Sequence, residues 1–410
     1  MSFPRIGTAN MYDRTINNIS KQQTELASQM EHASASKRVL RASDDPVAAA
    51  QAERARARMD RYSTDQRTLD AQVSTISYAE STLGAVSDAL QEFRALVVQA
   101  GNAAYDDPQR ESILQQMESL HTQILGYSNR QDSNGLPLFR GLDTHSGTPF
   151  PNGSQDHFQA GQANSGEYTI TNTLNGGLAF FSGRTGNGML EISLADTNQG
   201  KVWANVGTIQ DPSEAASITD AAPVHVKFAV DATGTTTYSL YDANGTRLKD
   251  SDGDDLPDYP YEADQTVTIK GMNVVLKGTP QDGDTLIIQP SKTVSVFDVM
   301  DDAINNIRAG TGTPAGTLEH GVARALAELD TAMNRVSTVR GLAGDLLNQA
   351  DRMSGALTSK SDLMEAQRSS AEDLDMVAAL SQLKTQETAV SAALQSYASI
   401  QKLSLFNYIN

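Results

Sequence analysis

The stretch RASDDPVAAAQ, residues 41–51, decides the reading. Two aspartates and a proline stand directly before a run of small helix formers. The triplet returns in AYDDPQRESIL, residues 104–114. An aspartate at a helix N-cap accepts hydrogen bonds from the first free backbone N–H groups. Its charge suits the positive end of the helix. Proline fits the first helical position, where its missing N–H costs nothing. Asp44, Asp45 and Pro46 are therefore read as a helix-cap motif that starts one long helix, and Pro108 as the start of the next. GNAAYDD, residues 101–107, is the turn between them.

Downstream of the first cap, Met59, Tyr62, Gln66, Leu69, Val73, Ile76, Glu80, Leu83, Ser87, Leu90, Arg94 and Val97 recur at spacings of 3 and 4. That is a heptad stripe with polar interruptions. The helix from 108 carries Ile113, Leu114, Met117, Leu120, Ile124 and Leu125, and it should fold back antiparallel on the first. Upstream lies a shorter stripe at Ile16, Ile19, Gln23, Leu26, Met30 and Ala33. The pattern changes after 131: eighteen of the thirty glycines fall between 141 and 283. SNGLPLFRG reads as a turn and a short strand. EYTI, LAFF, HVKFAV, TTYSLYD, TVTIKGMNVVL and DTLIIQP read as strands between turns, in one all-β domain or two small ones. Helical spacing returns near 294 with Val299, Met300, Ile304 and Ile307. It continues at Val322, Leu326, Leu329, Met333 and Val336. The last stripe is Met376, Leu380, Leu383, Glu387, Val390, Leu394 and Tyr397.

The order helix, sheet, helix predicts a multidomain α+β protein. Both chain ends form an antiparallel helical bundle and coiled coil, with an all-β domain inserted. The expected division is 1–45 with 370–410 as a terminal coiled coil and 46–140 with 293–369 as a helical rod with a β-hairpin. Residues 141–292 form the inserted outer domain. Ile16, Ile19, Leu26, Met30, Leu383, Val390, Leu394, Tyr397, Leu403 and Phe406 are the expected coiled-coil and assembly residues.

Composition narrows the function classes. A net charge of −18 repels phosphate backbones and anionic membranes, so neither nucleic acid nor membrane is an expected partner. There is no cysteine, hence no disulfide, thiol nucleophile or Cys-bound metal. No apolar window approaches the roughly 20 residues of a membrane span. The opening MSFPRIGTANMYDRTINN lacks the basic and apolar regions of a cleaved signal; a soluble chain is expected, exported, if at all, by a route without one. The six histidines show no metal-ligand spacing, and there is no HExxH, phosphate loop or nucleophile elbow. No cofactor and no enzymatic activity are expected. Trp203 falls in the β region, where a core role is expected.

Two charged groups stand out. The loop DSDGDDLPD, residues 250–258, sets Asp250, Asp252, Asp254 and Asp258 around Gly253. It is either an acidic turn or a weak calcium candidate, without the twelfth-position glutamate of an EF-hand. Arg54, Arg58 and Arg61 form a stripe that is either a solvated face or a set of salt bridges to a neighbouring subunit.

Three stretches carry a family resemblance. SASKRVLRASDDPVAAAQA, residues 34–52, resembles the N-terminal hallmark of bacterial flagellin and its hook-associated relatives. QDSNGLPLFRG, residues 131–141, resembles the hairpin that follows the family's third helix. ALQSYASIQKLSLFNYI, residues 393–409, resembles its C-terminal helix. FPRIGTANMYDRTINNISKQQTEL and GMNVVLKGTPQDGDTLIIQPS are more similar to the hook-associated branch, although Leu286 stands where that branch has phenylalanine. Lys37 stands where many relatives have glycine.

The resemblance implies a structural subunit exported by the flagellar type III system with an export chaperone. It implies self-association in a ring at the hook–filament junction, through terminal coiled coils that order on assembly. The implied neighbours are hook-associated protein 1 on one side and flagellin on the other. Flagellin itself, or an adhesin acting through residues 141–292, are the alternative readings.

Overall fold

A computed structural model describes residues 8–102, 105–143, 147–155, 158–161, 167–250, 252–309 and 315–406; the side chains of 8–12, 315 and 400–406 lie outside that description. The chain forms two compact units, 1–68 with 352–410, and 69–351. Two long helices, α2 (Pro46–Ala100) and α7 (Ala315–Glu372), contribute to both.

The first unit adds α1 (Thr8–Ala35) and α8 (Met376–Phe406). These two helices pack on each other, and Glu25 meeting Gln386 while Ser36 meets Leu374 makes the pair antiparallel. Along α2 no member of the predicted stripe from Met59 to Val97 is exposed, and Leu69, Ile76, Leu83, Leu90 and Val97 are buried. The two helices formed by opposite chain ends, α1 and α8, agree with the heptad spacing of their sequences.

The second unit joins a helical part to a β part. Here α3 (Asp107–Ser128) buries Ile113, Leu114, Met117, Leu120 and Ile124 and packs on α6 (Val296–Ala309). The second DDP triplet is used in a different register from the first. Asp106, not Asp107, caps α3, and Pro108 is its second residue. The cause is Gln109. Its N–H donates to Asp106 at 3.0 Å and its side chain accepts from the Asp106 N–H at 3.2 Å, a capping box. Ala48 at the matching place after Asp45 cannot close such a box.

The strands are β1 (Gly183–Arg184), β2 (Leu190–Leu194), β3 (Trp203–Ala204), β4 (Thr208–Ile209), β5 (Val224–Val230), β6 (Thr236–Tyr241), β7 (Tyr259–Pro260), β8 (Gln265–Ile269), β9 (Met272–Lys277), β10 (Thr285–Pro290) and β11 (Thr293–Val294). Two short helices, α4 (Gly176–Phe180) and α5 (Pro212–Ala215), lie among them. One antiparallel sheet runs β2-β10-β5-β6-β7. In the other, β9 pairs with β8, β3 and β4, and β1 pairs with β11 separately. Val226, Phe228, Leu286 and Ile288 of the first sheet share one buried cluster with Ala204, Val267, Met272, Val274 and Leu276 of the second. A shared core makes this one β domain rather than two. TVTIKGMNVVL forms the β8–β9 hairpin. Lys270 and Gly271 both have positive φ in its two-residue turn, and a Cβ at Gly271 would stand 2.4 Å from the Asp211 carbonyl.

Three strand readings do not hold. Leu178, Ala179 and Phe180 of LAFF lie in α4 and Phe181 is its C-cap, because Asn175 caps the Leu178 N–H and the two glycines before it start a turn. EYTI joins no sheet: Glu167 and Tyr168 lie in a turn, and the Ile170 N–H donates to the Gln72 side chain at 3.0 Å. The strand after SNG is reduced to the isolated bridges Gln131↔Pro137, Arg140↔Asn175 and Gly141↔Gln159. That segment is held by rings rather than a ladder. Phe139, Phe150, Phe158, Phe180, Phe181 and Phe297 form a connected aromatic cluster with centroid separations of 4.9–6.0 Å.

Candidate assembly surface in the terminal unit

The DDP stretch of residues 44–46 builds an elbow between α1 and α2. Asp45 caps α2, accepting from the Val47 and Ala48 N–H groups at 3.2 and 3.0 Å, and Pro46 is the first helical residue. Asp44 faces the other way and accepts from the N–H groups of Leu40 and Arg41 at 3.0 and 2.8 Å. Backbone donors hold both carboxyls below their ordinary range, the Arg41 N–H chiefly for Asp44, and the Ala48 N–H followed by Arg38 for Asp45. The left-handed residue of the turn is Ser36, φ 56°, not Lys37.

A second elbow, between α7 and α8, packs against the first. Asp375 caps α8 through the Val377 and Ala378 N–H groups. Lys37 bridges to Asp373 in antiparallel fashion, and the Leu374 N–H donates to the Ser36 carbonyl at 3.1 Å. At the centre lies Glu372, whose side chain is 5% exposed. Arg56 donates to both of its oxygens at 2.8 and 2.5 Å, Arg368 to one at 2.6 Å, and Lys37 at 3.2 Å. Burial pushes the Glu372 carboxyl up, but the hydrogen bonds from Arg56 and Lys37 outweigh it and hold it low. Its backbone carbonyl accepts from the Arg38 N–H at 2.7 Å, and the Arg38 side chain closes on the Ala371 carbonyl. Three chain segments, the α1–α2 elbow, α2 and α7, thus meet on one carboxylate.

Sequence reasoning missed this carboxylate. Glu372 stands 316 residues from Arg56, and no local pattern links them. The one available signal was Asp375, a cap marking the start of the last helix three residues later.

From the elbows, α1 and α8 form a thin pair. Ile19 and Val390 are buried, while Leu26, Leu383 and Tyr397 are half-buried. Ile16, Met30 and Leu394 are 47%, 52% and 44% exposed, and so are Leu380 and Val377 at 52% and 82%. The side chains of Leu403 and Phe406 lie outside the described residues. The Gln22 and Gln29 side-chain oxygens are buried without a partner. A pair that buries so little apolar area and strands polar atoms has surface to offer a neighbour.

Beside the elbows, a groove of about 700 Å³ runs between α2 and α7. Ala48, Ala55, Ala366 and Ala371 line it, and Arg38, Arg54 and Arg58 stand along it. Arg61, exposed, lies outside this lining.

The acidic loop of the β domain has a local use. Asp250 Oδ1 accepts from the Asp252 and Asp254 N–H groups, both at 3.0 Å. Asp132, Asp231 and Asp242 do the same for the residues two and four ahead, each with a positive-φ glycine at the third. Asp258 pairs with Arg247 and Ser239. Among the described residues no group of three or more His, Cys, Asp or Glu is placed to hold a metal ion. No described helix is long and apolar enough to cross a membrane.

Comparison with known proteins agrees with the helical ends. Residues 6–144 match the bacterial flagellin N-terminal helical region and residues 326–409 the C-terminal helical region. Flagellar hook-associated protein 3 of Escherichia coli (strain K12) is 24% identical over 405 residues, 98% of each chain. The protein of that name from Salmonella typhimurium is 31% identical over 185 residues, 44% of this chain and 55% of its relative. In that alignment the chain spans about half the relative's length. The fold is similar to that of the flagellar junction protein FlgL from Legionella pneumophila. The TM-score is 0.65 at 22% identity, over 73% of this chain and 99% of that one.

Proposed function

Since the chain belongs to the bacterial flagellin family, we propose that it is the structural subunit that joins hook to filament. It would be exported through the flagellar type III system with a chaperone. Outside the cell it would associate with copies of itself in a ring, between hook-associated protein 1 and flagellin. The observation that carries this reading is the thin α1–α8 pair joined to a firmly built double elbow. Ile16, Met30, Leu380 and Leu394 lie exposed on paired helices at the chain ends. Neighbouring subunits would cover them, and ordering of the pair would then be coupled to assembly. The alignment over nearly the whole of a hook-associated protein 3 favours the junction over the filament.

The working division is 1–45 with 370–410 as the assembly part, 46–140 with 293–369 as the rod, and 141–292 as the outer domain. Arg54, Arg58 and Arg61 are assigned to contacts between subunits. Deleting the gene and imaging cells and medium tests the reading. Hooks without filaments, with flagellin shed into the medium, are the expected result. Normal filaments would overturn it and leave an accessory flagellin or a surface adhesin.

A further inference from the structure

Two sets of charges on α2 have no partner of opposite sign within the described residues. Arg54 donates its Nε to the Ala50 carbonyl one turn back at 3.0 Å, and Arg58 rests Nη1 on the Met364 sulfur at 3.9 Å. Arg61 is exposed. None of the three meets a carboxylate, whereas Arg38, Arg56 and Arg94 on the same stretch of chain do. The second set is Asp88 and Glu92, both exposed and without a cation. Asp107 and Glu111 share the same spacing, but Arg110 lies 3.8 Å from Asp107.

Each set therefore holds like charges one helical turn apart, an arrangement that is unfavourable on an isolated helix. The two sets have the same spacing, i and i+4, and opposite sign. The shapes agree as well. The arginines border a groove that Ala48, Ala55, Ala366 and Ala371 line among polar residues, with Asp45 paired to Arg38 at one end, and the small side chains let another helix approach closely. The face around Asp88 and Glu92 carries only Gln91 and Ala95 between them and the exposed Val98, a narrow ridge.

We propose that the groove bordered by Arg54 and Arg58 receives the Asp88–Glu92 face of α2 from a second copy of this chain. The contact removes both like-charge repulsions at once and fixes which turn of one helix faces which turn of the other. It rests on the assembly reading above and specifies one contact of that assembly.

The test is a charge-reversal cycle in cells carrying the gene at its own locus. One strain carries Arg54→Glu with Arg58→Glu, a second Asp88→Arg with Glu92→Arg, and a third all four changes. Attached filaments per cell are counted beside the wild type and the deletion strain. Either reversal is expected to cut the count about tenfold, and the four-fold variant to return it to within about twofold of wild type. Melting curves of the purified variants show whether each one folds.

A second measurement uses the absence of cysteine from the chain. Copies bearing Arg58→Cys alone and Asp88→Cys alone are produced together, and sheared flagella are run on non-reducing gels. A disulfide needs Cα atoms within about 7 Å. A band of twice the chain mass is expected from the mixture and from neither copy alone. Reversal without effect overturns the proposal. So does a defect that the four-fold variant does not repair when no mixed disulfide forms, which would assign the groove to a different protein's acids. If deletion itself leaves filaments normal, it is the assembly reading that fails.

Discussion

Replacing Glu372 by glutamine keeps the shape of the elbow and removes its charge. Removing one partner of a buried ion pair costs about 3–5 kcal/mol. Here the cations are less buried than the carboxylate: Arg56, Lys37 and Arg368 are 40%, 33% and 22% exposed. Water can take up part of their charge, which brings the cost to about 2–3 kcal/mol. Hydrogen exchange at the Arg38 and Leu374 amides reads this directly, because both donate across the elbow to Glu372 and Ser36. Their protection should fall by about 30- to 150-fold. Glu365→Gln is the control. Glu365 is 47% exposed and, among the described residues, pairs with Arg368, so its loss should cost under about 1 kcal/mol. The pH dependence has a definite sign. The folded Glu372 carboxyl titrates below its ordinary 4.5. Its contribution is therefore present above that value and is lost as pH falls through the lower, folded one. Protection that is equal in Glu372→Gln and Glu365→Gln at neutral pH would refute the assignment of the elbow to this carboxylate.

Other expectations follow from single contacts. Gly278→Ala should cost about 3 kcal/mol or more, since its Cβ would stand 1.8 Å from the Lys201 carbonyl at φ +83°. Gly283→Ala at φ +93°, with open space around it, should cost about 1–2 kcal/mol. Melting followed by Trp203 fluorescence separates the two. Asp284→Ala removes a buried acceptor for the Gln199, Gly200 and Gln281 N–H groups. It should destabilise the β domain by about 2–4 kcal/mol in urea titrations. Asp45→Ala should lower the melting temperature through loss of the α2 cap, read by far-UV circular dichroism. In the free protein the α1 and α8 amides should exchange faster than those of α2 between 76 and 97. Equal protection would count against ordering on assembly.

Much of the helical architecture was legible because its signals are local. Asp45 before Pro46, Asp106 before Gln109, and apolar residues every three or four positions each act within one or two turns. The β8–β9 hairpin was legible for the same reason. LAFF failed because four apolar residues suit a strand and a helical turn equally, and Asn175 before two glycines decided between them. The acidic loop was open to two readings by composition, a turn or a calcium candidate. Asp250 resembles a ligand in a list of aspartates, yet Asp132, Asp231 and Asp242 repeat its spacing to a glycine, and that repeat marks a backbone turn. Glu372 could not be read at all, because its three cations come from both ends of the chain.

The polar residues that interrupt the α2 stripe carry a different lesson. Gln66, Glu80 and Arg94 stand fourteen residues apart, two heptads each time. Each meets a polar residue of α7: Ser354 at 3.0 Å, Arg340 at 2.6 Å and Asp330 at 2.7 Å. Arg340 and Arg94 are 48% and 39% exposed, so these contacts add little stability. Their effect is on register. An all-apolar heptad seam can slide by seven residues at small cost, whereas a polar residue at a seam position penalises the wrong alignment. A slide of one heptad would set Glu80 against Met333 or Leu347 instead of Arg340. In the terminal unit the Gln66–Ser354 contact fixes the same alignment that brings Glu372, at the end of α7, to Arg56. The seam's apparent defects are thus what allows two helices from distant parts of the chain to close a buried four-way ion contact, where a slip of a single turn would leave the carboxylate without its cations.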